Sequence, residues 1–310
     1  MLDLFESSKI PEPGESRTEA EERHSSFISD SLAYLSRKAA ALPDETQWRW
    51  QKPKGLLDKP LELNLTHDEK DRIGKKIWQN ESGGLMEGLT AWNKGEEFPS
   101  LGIGHFIWMP KNVNTPFGES FPEAMNYLKD HGANLPSWLN PDKPCPWDTR
   151  KEFLNDFNGK ELSELRKFLS DTVALQTDYI IDRLQKALPR ILDKVDPALQ
   201  QKVQDRFYKV LNSSPSGVFA LADYLNFKGE GLELVPQYKN HAWGLRQVLE
   251  GMKDGADPVK DFSESAKEVL SLRVKNSPPS RNEQQWLKGW HNRVERYVSD
   301  PPFMELKKKH

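Results

Sequence analysis

The chain has one cysteine, Cys145, among its 310 residues. A lone thiol excludes an internal disulfide and any zinc site built from cysteines. Long apolar runs are missing too. The mean hydropathy is -0.76, and no stretch approaches the roughly 18 apolar residues that a membrane-spanning helix requires. Nor is there a surplus of one charge: 44 basic residues stand against 47 acidic ones, a formal net charge of -3. Proteins that hold nucleic acid by displacing counterions need a basic excess, so no nucleic-acid partner is expected. There is no His-Glu-x-x-His, phosphate-loop or dinucleotide fingerprint and no histidine pair at metal-ligand spacing. No metal and no cofactor is therefore expected. The acidic first 23 residues lack the basic start and apolar stretch of a secretory leader. A periplasmic or secreted location is expected if a leader has been removed, and is otherwise open.

Tryptophan is abundant instead, with ten residues alongside 22 prolines. It presents a flat apolar face and a polar edge, so its placement bears on function. Residues 1–60 read as a polar N-terminal extension with one helix near 25–42, and residues 61–310 as the main domain. Thr66-His67-Asp68-Glu69 is a capping box, followed by Ile73, Ile77 and Trp78 on one face, which predicts a helix over 66–80. From Glu81 to Pro110 glycines are dense and Leu101–Trp108 is a short apolar run, so turns and a small hairpin are expected there. Residues 111–147 read as a Pro-rich connection. Beyond Asp148 the periodicity predicts helices over 149–157, 160–169, 171–194, 197–212, 216–227, 241–252, 262–276 and 281–298. The last of these opens on a second capping box, Ser280-Arg281-Asn282-Glu283. The expected class is mainly α (α+β): a helical lobe over about 148–300 and a hairpin lobe over about 81–110, which forms one wall of a cleft.

The segment Ile77–Pro110 carries the chemistry. It puts Glu81 at the C-terminal end of a helix, where the negative end of the dipole opposes an anion. Beside an apolar neighbour such as Trp78, a carboxyl there is expected to keep its proton near neutral pH and act as a general acid. Glu96 and Glu97, at the hairpin turn, are candidates for a second carboxylate. Two carboxyls in unequal surroundings are what glycoside hydrolysis requires.

A Glu closing a helix, then a Gly-rich hairpin, then Ser100-Leu101-Gly102-Ile103-Gly104-His105 resembles the lysozyme-like superfamily, closest to phage-type lysozymes. Glu81 matches the catalytic acid of that family and Ser100 the position of its threonine, while Gly102, Ile103, Gly104 and His105 match outright. His105 is expected to be structural. Trp286–Tyr297 weakly resembles the family's late helix. The family's hairpin aspartate falls at Lys94, so that carboxylate is not matched. The strong likeness covers about 40 residues.

A second constellation runs from Asp223 through Asn226 and Gly229-Glu230-Gly231 to Tyr238 and Trp243. It is loosely similar to the Tyr/Asn-rich turn of lytic transglycosylases. Asn226, Tyr238 and Trp243 are candidate sugar contacts on the opposite wall, and Trp92 and Trp108 on the hairpin side. Trp78, Trp286 and Trp290 are expected in the core, with Glu230 solvated. What the resemblance implies is a monomeric muramidase that hydrolyses β-1,4 bonds of peptidoglycan or a related amino-sugar glycan. The alternatives are a lytic transglycosylase, a non-catalytic wall-binding protein and action on an uncrosslinked chitin-like glycan.

Overall fold

Thr66 starts the first helix as its sequence requires. Its hydroxyl accepts from the Glu69 amide at 3.3 Å while its own amide donates to the Glu69 carboxylate at 2.7 Å. The resulting helix α1, His67–Ser82, ends at Gly83, whose φ of 69° is the left-handed conformation that suits glycine. This computed structural model describes residues 63, 65–111, 113 and 119–299. The helix expected near 25–42 lies outside them. The chain divides between Asn64 and Leu65, and every described helix and strand belongs to the unit that begins at Leu65.

Among the described residues 62% are helical, in ten α-helices and three short 3-10 turns, with one small antiparallel sheet. The sheet comprises β1 (Thr90–Ala91), β2 (Ser100–Leu101) and β3 (Phe106–Ile107), in that order. Thr90 opposes Leu101, and Leu101 in turn opposes Phe106. The hairpin expected here therefore carries a third strand, and a 3-10 turn at Met86–Leu89 leads into it. Helix α2, Phe121–Asp130, runs through the stretch that reads as a Pro-rich connection. Pro122 sits in its first turn, where a missing N–H costs nothing, so this proline helps to start a helix. Next come α3 (Arg150–Asn155), α4 (Lys160–Asp171) and α5 (Val173–Asp193), which holds Pro189 in its last two turns. The sheet packs against α4 and α2.

The remaining helices are α6 (Gln200–Asn212), α7 (Ser216–Lys228), α8 (Leu245–Gly251), α9 (Pro258–Asn276) and α10 (Gln284–Ser299). Helix α7 is the centre. Its run Val218-Phe219-Ala220-Leu221-Ala222 is buried on every face, and it touches α1, α5, α6, α8, α9 and α10. A helix apolar all round belongs inside a bundle, which makes its Asp223, fully buried, a residue in need of partners.

Three of the boundaries that differ from the periodicity have a visible cause. The helix expected from 241 begins at Leu245, because Trp243 gives its carbonyl to the Tyr224 hydroxyl at 2.9 Å. Helix α9 begins four residues early, since Asp257 caps it through the Val259 and Lys260 amides and Pro258 fills its first turn. The second capping box does not form. Glu283 turns inward to Arg273, so α10 starts only at Gln284.

Helices α1 and α5 approach closely at Gly74, where a Cβ would come within 2.3 Å of Thr177 Oγ1 and 2.6 Å of Val173 Cγ1. Gly74→Ala is expected to destabilise the protein by about 1–3 kcal/mol, despite the better helix propensity of alanine. Urea unfolding checks this; a variant as stable as the parent would mean that the helices part freely there.

Candidate active site

Glu81 lies in the last turn of α1, with its side chain 15% exposed. Four separate segments meet around it. Arg293 of α10 donates from Nη2 to Glu81 Oε1 at 2.5 Å, and Asn226 of α7 donates to the same oxygen at 3.1 Å. On the other side His105 brings Nδ1 to 3.8 Å from Oε2. Among the described residues Oε2 accepts no hydrogen bond, so one carboxylate oxygen is held and the other has only the longer His105 contact.

His105 is placed by the turn between β2 and β3, where it has a φ of 50°. The glycines of Gly-Ile-Gly-His each answer a steric demand. Gly102 has a φ of 74°, and a Cβ on it would meet Gln176 Oε1 at 2.5 Å. A Cβ on Gly104 would meet the Phe106 ring at 2.6 Å and the Asn226 carbonyl oxygen at 3.2 Å. Gln176 in α5 ties the turn down by accepting from the Ile103 amide at 3.0 Å. The motif thus seats the turn, and His105 with it, against α5 and α7.

Beneath Glu81 lies a carboxylate not assigned from the sequence. Arg293 donates from Nε to Asp223 Oδ2 at 3.0 Å and from Nη2 to Oδ1 at 2.9 Å. Asn80 donates to Oδ1 at 3.1 Å and Tyr297 to Oδ2 at 2.7 Å. The Arg293 guanidinium also lies 4.1 Å from the centre of the Phe227 ring, a cation–π contact. Arg296 reaches Asn80 Oδ1 at 3.0 Å and fixes that amide in turn. The signal for these residues is in the sequence: Asp223 and Asn226 are three apart on α7, and Arg293, Arg296 and Tyr297 share one face of α10.

This geometry corrects the charge expected for Glu81. Burial is the largest single influence and pushes its carboxyl upward, but the Arg293 guanidinium, His105 and the hydrogen bonds from Arg293 and Asn226 together outweigh it. The net direction is below the ordinary carboxylate value, so the free protein holds Glu81 ionised. A carboxyl depressed on folding adds stability above its unfolded value of about 4.3, and that stability is lost as pH falls through the folded value. Wild type should therefore lose stability relative to Glu81→Gln as pH falls from about 5 through the carboxylate range. Urea midpoints of the two proteins across that window check it; a constant difference would show that Arg293 does not favour the ionised form.

Several expected sugar contacts are closed off. Trp108 is 1% exposed, packs on Phe121 and Trp147, and donates its indole N–H to the Lys143 carbonyl. Trp92 is buried against Phe153 and donates to the Glu96 carbonyl. Tyr238 and Trp243 are buried together beside Arg273, with Tyr238 donating to Glu283 at 2.6 Å. All four are core residues. Of the tryptophans expected in the core, Trp290 is buried, whereas Trp78 and Trp286 are half-exposed. Ser100 is buried in the middle strand. Glu96 accepts from Asn93 within its own turn at 3.2 Å and Glu97 is exposed; neither is bonded to Glu81. Glu230 is not simply solvated, because Arg190 pairs with it. Of the candidates, Glu81, Asn226 and His105 come together, with Gly102 and Gly104 supporting them.

No family model matches the chain, and no curated protein or solved structure matches it either.

Proposed function

We propose that the chain is a lysozyme-like glycosidase that cleaves β-1,4 bonds in peptidoglycan or a related amino-sugar glycan, with Glu81 moving the proton. The observation that carries this reading is the asymmetry of the Glu81 carboxylate. Arg293 and Asn226 both bind Oε1, while Oε2 is left unbonded beside the Gly-Ile-Gly-His turn. Such a carboxylate is oriented and still has an oxygen to offer a substrate.

The ionised resting state sets the order of events. A glycan that covers the site displaces water and raises the carboxyl's affinity for a proton. Protonated on Oε2, Glu81 gives that proton to the glycosidic oxygen as the bond to the anomeric carbon breaks. The oxocarbenium-like centre is then taken by water, whose proton returns to Glu81 or to solvent. If a sugar 6-hydroxyl attacks in place of water, an anhydro end forms, as in a lytic transglycosylase. The Glu81–Arg293 ion pair itself favours a second reading, a glycan-binding protein whose carboxylate never takes up the proton.

Incubation of the protein with purified sacculi, followed by mass spectrometry of the soluble fraction, separates these outcomes. Fragments with reducing ends are expected. Anhydro ends would assign transglycosylation, and sacculi that bind the protein without releasing fragments would overturn the enzyme reading.

A further inference from the structure

The Arg293 guanidinium serves two carboxylates, and it serves them unequally. Asp223 takes two N–H groups in a side-on pair, Nε to Oδ2 at 3.0 Å and Nη2 to Oδ1 at 2.9 Å, whereas Glu81 shares only Nη2. The Asp223 side chain is fully buried, and its oxygens are further bonded by Asn80 from α1 and Tyr297 from α10. Both oxygens of Asp223 therefore have two partners each. Phe227 covers one face of the guanidinium at 4.1 Å.

The charges then follow by counting. Two carboxylates face one guanidinium, so Arg293 alone leaves one carboxylate charge uncompensated. An isolated buried one-to-one pair would resist protonation of its carboxylate, because the guanidinium would be left unpaired. Here the guanidinium keeps a two-point partner whatever Glu81 does.

We propose that Asp223 is a positioning residue for Glu81: by holding Arg293 as a second carboxylate, it lets Glu81 take up and release a proton while the guanidinium stays paired. The consequence for catalysis rests on the glycosidase reading; the consequence for proton exchange does not. The charged and titratable groups that face this centre are Arg293 and Tyr297 from α10, His105 from the turn before β3, and Asp223 from α7. Arg296 is linked through Asn80, and Tyr224 lies beside Asp223 with its hydroxyl given to the Trp243 carbonyl. None of these others supplies a negative charge at neutral pH, so the compensating anion is Asp223.

The test reads the Glu81 carboxyl directly by carbon-13 NMR, the resonance being assigned through its loss in Glu81→Gln. Asp223→Asn keeps the shape and the acceptor of the side chain and removes only the charge. Glu81 should then titrate about one pH unit lower or more, and the alkaline limb of glycan cleavage should move to lower pH by the same amount. If Asp223→Asn does not fold, Arg293→Gln is compared with the Asp223→Asn, Arg293→Gln double variant, and Glu81 should again titrate lower where Asp223 has lost its charge. Tyr297→Phe, which removes a hydrogen bond to Asp223 but keeps the charge, should move Glu81 far less. A Glu81 titration unmoved by Asp223→Asn, or moved equally by Tyr297→Phe, overturns the assignment. If the titration shifts as stated while wild type releases nothing from sacculi, the glycosidase reading fails and the role of Asp223 stands.

Discussion

Glu81→Gln should lower the release of glycan fragments from sacculi by about 10²- to 10⁴-fold, the usual contribution of a positioned acid. The amide keeps the length and an acceptor oxygen for Arg293, and Arg293 keeps Asp223, so the loss should come without unfolding. Binding of the variant to sacculi should remain within a few-fold of wild type, because the change removes the proton and not the surface. Activity retained within about threefold would move the reaction to another group and sink the assignment of Glu81. The pH profile adds an independent check: an acid that is ionised in the free protein predicts kcat/KM that falls as pH rises through its value, with kcat falling at higher pH once substrate covers the site.

Glu283→Ala should be the most damaging single change for stability. Arg273 and Glu283 form a two-point ion pair at 2.8 and 3.0 Å with both side chains fully buried. The guanidinium lies 4.3 Å from the Trp243 ring and 4.8 Å from Trp290. Alanine would leave that cation in an aromatic cage without the Glu283 counter-charge. The expected cost is about 3–5 kcal/mol, or a fall in Tm of roughly 6–20 °C for a domain of this size. Replacing both partners with apolar residues of similar volume should recover much of this, because no lone charge remains. Calorimetry of the single and double variants decides it. A Glu283→Ala protein that melts within a degree or two of wild type would show that water reaches Arg273.

Helix type was legible wherever one face was apolar over several turns, as in α1, α5 and α9. Its failures have local causes. Pro122 falls in a stretch that reads as a connection, and Pro258 lies outside the helix that the periodicity predicts. Each nonetheless sits in the first turn of a helix, where proline is tolerated. Glu283 reads as a cap, but a buried arginine competes for its carboxylate more strongly than an exposed backbone amide. In the site, Glu81 and the Gly-Ile-Gly-His turn were readable because a helix end and a crowded turn leave local marks. Asn226 of α7 was read as a site residue, but Asp223 and Arg293 were not, since they gain their meaning only across 70 residues of intervening chain. Tryptophan misled for a related reason. Its placement beside a motif in sequence says nothing of which side of the backbone faces solvent, and Trp92, Trp108 and Trp243 face inward.

The bond between Glu81 and Arg293 joins residues 212 positions apart, and this distance governs when the chemistry can first exist. During synthesis α1 and the sheet emerge long before α10, at roughly 5–20 residues per second. For that interval the nascent chain carries Glu81 without its guanidinium, and Asp223 without either Arg293 or Tyr297. Until then Asn80 of α1 is the remaining partner of Asp223, and arrival of the final helix completes the Asp223 and Glu81 contacts in one event. A chain cut short before α10 would thus lack every Arg293 and Tyr297 contact to these two carboxylates.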